Sequence, residues 1–233
     1  MVVKACLFDI FGTICDWRSG VSAVAQQVFA ARGLQVDAKA FALAWRAQYQ
    51  PGMERVRAGR RPYVALEELH LENLRRVLAE QNLDLPDEDQ VRLNNAWSNL
   101  PCWQGAPAAL AELRKTHLIA PCSNGSIAMI LGIARRNGMH WDFIGGAPLA
   151  RAYKPLPTVY TQSVAAFGLA PEEVMMIAAH NDDLCAARAA GLRTGFFPRP
   201  TEYGSGQDTD LAAEDAWDIV ATDLSDLVDQ LTG

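Results

Sequence analysis

Short apolar runs of strand length recur along this chain at residues 2–8, 118–122, 174–179, 194–197 and 219–221, most of them flanked by polar residues or glycine. Helix-length segments lie between them at residues 107–115, 127–137, 158–167 and 183–190, the last followed by Gly191 as a reasonable C-cap. Strand alternating with helix predicts an α/β fold, a Rossmann-like parallel sheet core with helices on its faces. Ligands of such sheets sit outside the carboxyl ends of the strands. The polar residues directly after each run therefore become the site candidates.

The stretch from Ser19 to Leu100 breaks this rhythm, reading helix after helix at residues 21–31, 38–50, 63–80 and 88–100. It is an insertion directly after the first strand, bounded near Asp16 and near residues 101–105, and an inserted helical cap domain fits it best. The expected division is a Rossmann-like catalytic core from residues 1–16 and 101–233, with a helical cap domain from 17–100. Residues 201–208, rich in glycine and polar side chains, read as a surface loop by composition.

Half of the 233 residues are hydrophobic, so a sizeable core needs no metal or disulfide staple. The net charge of −6 argues against a nucleic-acid partner. The densest basic cluster, residues 55–61, lacks interleaved aromatics and reads as a solvated turn. The five cysteines are odd in number and scattered, with no C-x-x-C pair, which predicts a reduced, cytoplasmic setting. Cys6 and Cys122 lie inside apolar runs and read as buried small hydrophobes. The first residues are interrupted by Asp9 too soon for a signal segment, and no stretch approaches the ~20 apolar residues of a membrane span, so a soluble protein is expected.

Four strand ends carry polar groups able to converge. After the first run comes Asp9-Ile10-Phe11-Gly12-Thr13, a carboxylate leading into a glycine turn that exposes backbone N–H groups. After the second comes Ser123-Asn124-Gly125-Ser126, opening a helix whose N-terminal N–H groups suit an anion. Lys154-Pro155 follows, with Tyr160 six residues on, and His180-Asn181-Asp182-Asp183 ends the 174–179 run. Singly these are turn residues, helix caps and surface charges. Jointly they are a site, because the topology of a parallel sheet brings successive strand ends together.

On these motifs the chain resembles the haloacid dehalogenase superfamily over nearly its whole length. Asp9 to Thr13 is similar to its nucleophile motif, Ser123-Asn124-Gly125 to the second, Lys154-Pro155 to the third and His180 to Asp183 to the acidic fourth. Phosphatases of that superfamily carry a second Asp two residues after the nucleophile, as the acid for the leaving alkoxide, and use magnesium. This chain has Phe11 there. A phenyl ring transfers no proton, whereas halide leaves as a stable anion and needs none. The resemblance thus narrows to the 2-haloacid dehalogenase branch, type II, specific for the L enantiomer, in which Arg46, within Ala44-Trp45-Arg46-Ala47, matches the halide-binding arginine.

The resemblance implies hydrolysis of short 2-haloalkanoic acids with no cofactor and no metal. Asp9 displaces halide from C2 and forms an aspartyl ester; Lys154 keeps Asp9 ionised; Arg46 and Asn124 receive the halide. Ser123 and the N–H groups of Ile10 and Phe11 hold the substrate carboxylate, Phe11 and Trp45 keep water out, and Asp183 with Lys154 activates the water that opens the ester. Tyr160 and His180 complete the pocket. The partners implied are a small 2-halocarboxylate and the halide product, with a homodimer as a further guess from the family.

Several positions depart from the family pattern. His180 stands where many members carry Asn, Ala178 where a Ser helps hold the water, Asp182 where some have an aromatic, and Leu156 where Asp is common. The Ala178 to Asp183 sequence resembles a subgroup some of whose members accept fluoroacetate. His180 reads equally as a structural histidine; His70, His117 and His140 read as structural, and Trp17 and Arg18 as hinge residues near the site. Rival readings are a hydrolase of a phosphate ester or of a strained-ring amino acid, and a silent binder of organic anions. The last gains nothing from two carboxylates in its pocket.

Overall fold

The computed structural model describes residues 2–233. Strands β1 (Ala5–Phe8), β2 (Leu118–Ser123), β3 (Gly145–Gly146), β4 (Val174–Ala178), β5 (Arg193–Phe196) and β6 (Ile219–Val220) form one sheet in the order β3-β2-β1-β4-β5-β6. Every pairing is parallel, and β1 lies at the centre with Phe8 beside both Pro121 and Ile177. The order reverses around β1, so the residues that follow β1, β2 and β4 share one crevice.

Side-chain alternation in the central strands serves two cores. Cys6, Phe8, Ile119, Met175 and Ile177 pack into one cluster, and Ala5, Leu7, Ala120, Met176 and Ala178 into the other. Both faces are covered, which is why these strands read as unbroken apolar runs.

Helices α1 (Trp17–Ala31), α2 (Ala38–Ala47), α3 (Tyr49–Arg57), α4 (Leu66–Glu80) and α5 (Asp87–Asn95) follow β1 with no named strand among them. The remaining helices are α6 (Ala106–Leu113), α7 (Ile127–Asn137), α8 (Ala147–Ala150), α9 (Pro157–Phe167), α10 (Asn181–Ala189) and α11 (Leu224–Thr232). The insertion leaves and rejoins the core at one point, where Asp16 N–H donates to Pro101 O and the backbones of Cys15 and Cys102 pair as an antiparallel β-bridge, their thiols free. None of the helices is long and apolar enough to cross a membrane.

Capping explains the element starts. Asp16 accepts from Ser19 N–H and starts α1 four residues before the expected position, and Ser126 accepts from Met129 N–H to start α7. The single helix expected over 38–50 is two. Pro51 has no N–H for the Ala47 carbonyl, and its ring would clash there, so α2 stops at Ala47 and Pro51 falls in the first turn of α3. Helix α11 was not anticipated; Asp223 caps it, and Leu224, Leu227 and Val228 pack inward at helical spacing.

The basic cluster corrects an expectation, because Arg57 is not a solvated side chain. It lies at the end of α3 and donates to the Lys154 carbonyl, Gln50 and Glu54, while Arg61 forks onto both oxygens of Glu72. The insertion is thereby tied to the backbone of a candidate site residue.

Gly146 meets backbone on its bare side beside the crevice. Its φ is +92°, and an added Cβ would lie 2.2 Å from the Ser123 carbonyl oxygen and 2.4 Å from the Ser123 nitrogen. Gly146→Ala is therefore expected to destabilise the fold by more than about 2 kcal/mol in urea unfolding, from backbone strain plus the clash.

Candidate active site

A cavity of about 350 Å³ opens above the carboxyl ends of β1, β2 and β4. Its floor carries three buried ionised side chains in contact. Lys154 Nζ donates to Asp9 Oδ1 at 2.8 Å and to Asp183 Oδ2 at 2.5 Å, and Tyr160 donates to Asp183 Oδ1 at 2.6 Å. Asp9, Lys154 and Asp183 each expose less than a tenth of their surface. They come from the ends of β1 and β4 and the loop before α9, as strand-end reasoning predicts.

Two further donors reach the other oxygen of Asp9. Thr13 Oγ1 donates to Oδ2 at 2.7 Å and accepts from Ala179 N–H, while His180 Nδ1 lies 3.2 Å from the same oxygen. The Nε2 of His180 lies 2.8 Å from Glu202 Oε2, and Glu202 Oε1 accepts from Trp17 Nε1 at 2.7 Å. His180 is thus no isolated core histidine.

Burial alone would push the Asp9 carboxyl up, but the Lys154 ammonium and His180 outweigh it and hold it far below the usual carboxylate range. Burial opposes the Lys154 charge, and the two aspartates restore it and hold its pKa above normal. Asp183 goes the other way from Asp9: burial raises it, Lys154 opposes, and the Asp9 charge adds to the rise. Burial also works against His180, yet Glu202 and Asp9 raise it well above an ordinary histidine.

The roof comes from the insertion. Arg46 on α2 and Tyr49 on α3 line the same cavity, with the guanidinium 3.9 Å from the Tyr49 ring centre and 5.3 Å from that of Trp17. Among the described residues, Arg46 Nη1 is buried with no hydrogen-bond partner, and no carboxylate forms an ion pair with the side chain. Lys154 and His180 each lie between two carboxylates; Arg46 has none.

Of the residues singled out in the sequence, Asp9, Phe11, Arg46, Asn124, Lys154, Tyr160, His180 and Asp183 line the cavity. The side chains of Ile10, Trp45 and Ser123 are buried behind its wall. Trp45 donates to the His70 carbonyl inside the helical insertion, and Ser123, fully buried, accepts from Gly125 N–H. Asn124 Oδ1 accepts from Lys154 N–H, and its side chain lines the cavity beside Tyr49. Trp17 backs Glu202, and Arg18 packs against Gly204.

Glu202 and Tyr203 fall in the stretch expected to be a surface loop. Glu202 is 1% exposed, and Tyr203 lines the cavity beside Arg46. Polar composition masked them, although their segment follows β5 and so leaves the same edge of the sheet. Thr13 lay within the motif after the first strand and Tyr49 within the helical stretch 38–50, with nothing in the sequence to mark either as a contact.

The donor set does not fit a magnesium ion. All four oxygens of Asp9 and Asp183 already face N–H or O–H donors, and Phe11 offers no side-chain ligand. What the arrangement can do is present an ionised carboxylate, Asp9, opposite an unpaired cation, Arg46, in a cavity shielded by aromatic rings.

Known proteins share this frame. A sequence model described as haloacid dehalogenase-like hydrolase matches residues 3–191. The crystal structure of a defluorinating L-2-haloacid dehalogenase superposes with a TM-score of 0.97 at 43% identity, covering 99% of this chain and 96% of that one. A second L-2-haloacid dehalogenase structure gives 0.95 at 42% identity, with 98% of each chain covered. Haloacetate dehalogenase H-2 of Moraxella sp. (strain B) is 28% identical over 209 residues, 88% of this chain and 89% of its own length.

Removing the Lys154 charge leaves two buried carboxylates facing each other. Lys154→Met is expected to lose about 3–5 kcal/mol at neutral pH. The deficit shrinks as pH falls, because Asp9, ionised to low pH only through its cations, protonates easily once Lys154 is gone. Urea unfolding at pH 7 and pH 4.5 measures both.

Proposed function

Since the chain belongs to the haloacid dehalogenase-like hydrolases, we propose that it cleaves carbon–halogen bonds of short 2-haloalkanoic acids, fluoroacetate included, giving halide and a 2-hydroxy acid. The observation that carries the proposal is the unpaired Arg46 over the ionised Asp9, with Phe11 where a phosphatase would need its acid.

Asp9, kept ionised by Lys154 and His180, attacks C2 and forms an aspartyl ester. The halide departs toward Arg46 and the Asn124 amide, anion to cation in a crevice between the sheet and the insertion. The substrate carboxylate is held by the backbone N–H groups of Ile10 and Phe11, with Ser123 fixing the adjoining turn through Gly125. Its charge draws on the same Lys154 and Arg46, so the pocket suits an anion of few atoms. Trp45 works at one remove, packing the insertion that carries Arg46.

Water then attacks the ester carbonyl of Asp9. Asp183 is suited to take its proton, because burial raises its carboxyl and makes it a better base. Tyr160 and Lys154 hold that carboxylate in place. The helices of residues 17–100 act as the cap domain over a core of residues 1–16 and 101–233. The scattered cysteines support a cytoplasmic enzyme, and a homodimer belongs to the same reading.

Ion-selective detection of halide from chloroacetate, fluoroacetate and L-2-chloropropionate, with chelator present, tests the proposal. Release survives chelator and vanishes in Asp9→Asn. Turnover of a phosphate ester that chelator abolishes, with no halide from any substrate, would replace this reading with the phosphatase one. Arg46→Gln is expected to lower kcat by about 10²-fold or more through loss of the halide's countercharge. The acid limb of kcat should lie above the usual carboxylate range of about 4, because Asp183 works as a base and its raised pKa shifts the loss to higher pH.

A further inference from the structure

The two oxygens of Asp9 are held unequally. Oδ1 meets Lys154 alone, whereas Oδ2 is pinned by the Thr13 hydroxyl at 2.7 Å and by His180 Nδ1 at 3.2 Å. A carboxylate oxygen with two donors has fewer free lone pairs and lower nucleophilicity, so Oδ1 is the oxygen that attacks C2. Oδ2 then becomes the carbonyl oxygen of the ester.

We propose that His180 and Thr13 form an oxyanion hole for hydrolysis of the Asp9 ester, and that Glu202 is the positioning residue that keeps His180 a charged donor. The inference rests on the aspartyl-ester reading above. Water adds to Cγ of Asp9, the Cγ=Oδ2 π pair moves onto Oδ2, and the water proton goes to Asp183. As the tetrahedral species collapses, the pair returns from Oδ2, the Cγ–Oδ1 bond breaks, and the product alkoxide leaves with Oδ1 and takes the proton from Asp183. Asp9 is left as a carboxylic acid built from Oδ2 and the water oxygen, and it loses that oxygen's remaining proton to solvent to regain its carboxylate. Charge rises and falls on Oδ2, where donors are already in place, so no reorganisation is needed.

Glu202 is built into this arrangement. Its carboxylate lies against Gly12, where an added Cβ would fall 2.1 Å from Oε1 and where φ is +94°, so the glycine turn after Asp9 is what admits it. Trp17 Nε1 holds Oε1 and leaves Oε2 for His180 Nε2. With Nε2 bonded to one carboxylate and Nδ1 to another, the ring is a donor at both nitrogens, which only imidazolium can be. The charged groups around His180 are Asp9 from β1, Glu202 from the segment after β5, Arg46 from α2, Lys154 from the loop before α9, and Asp182 and Asp183 on α10. The contacting charges are both negative and favour the protonated ring, in line with its raised pKa. A neutral amide at this place would donate a weaker hydrogen bond than the cation does.

The two chemical steps can be read separately with L-2-chloropropionate. Rapid mixing follows the first equivalent of chloride per site, and intact-mass spectrometry follows Asp9 carrying a carboxyethyl group. In His180→Asn the chloride burst is expected to persist while steady-state turnover falls about 10²–10³-fold, the range for loss of an oxyanion donor, and the ester accumulates. Glu202→Gln preserves the shape and the Trp17 bond. It should shift the alkaline limb of ester hydrolysis to lower pH, since removing the anion lowers the His180 pKa, a change that mere loosening of the fold would not produce. A burst slowed as much as turnover, with no ester trapped, would overturn the inference, as would an alkaline limb unmoved in Glu202→Gln. Wild-type protein that releases no chloride and never carries the adduct would instead overturn the ester reading beneath it.

Discussion

One ammonium, that of Lys154, lies between two buried carboxylates, and the rest of the site is arranged around the consequences. Two like charges cannot share a low-dielectric crevice without a cation between them. Given Lys154, Asp9 stays ionised as a nucleophile must. Asp183, pressed by burial and by the charge of its neighbour, becomes the more basic of the pair. Lys154 lowers both carboxyls, and His180 beside Asp9 against the Asp9 charge beside Asp183 sends the two identical side chains in opposite directions. The sheet supplies the placement, because β1 sits between β2 and β4 and the loops leaving their ends meet.

The helical insertion contributes what the sheet lacks. The strand ends and their loops provide carboxylates with their counter-cations in contact, a set already near neutrality. Arg46 arrives from α2 with no carboxylate of its own, stacked on Tyr49 and close to Trp17. A cation held by aromatic faces keeps its field available for an incoming anion. Arg57 completes the connection by donating to the carbonyl of Lys154, tying the insertion to the backbone of the central cation. Here the packing of the two parts and the electrostatics of the site are one problem.

Much of this was legible from the chain alone, and the reasons are local. Continuous apolar runs can only be strands buried on both faces, or short helices, and their regular spacing with helices decides for the former. Once the sheet is parallel, Asp9, Asn124 and Asp183 are placed by topology without any knowledge of contacts. Helix starts at Ser126 and Asp16 follow from side-chain oxygens that accept the first N–H groups. The break after Ala47 was also written in the chain, as Pro51, but a window of apolar periodicity runs straight through it.

What sequence determined by itself is the order of elements and hence which residues stand at strand ends, because backbone hydrogen bonding and side-chain periodicity act over a few residues. Only the tertiary structure decided how those ends are charged against one another. Glu202 sits in a glycine-rich polar stretch that looks like any solvated loop, and its burial comes from contacts with Trp17 and His180, 185 and 22 residues away along the chain. Arg57 and Arg61, neighbours in one basic run, part company because Arg57 reaches the Lys154 carbonyl across to the core while Arg61 pairs with Glu72 within the insertion. Such pairings depend on distances between segments far apart in the chain, and charge in a crevice is governed by those distances.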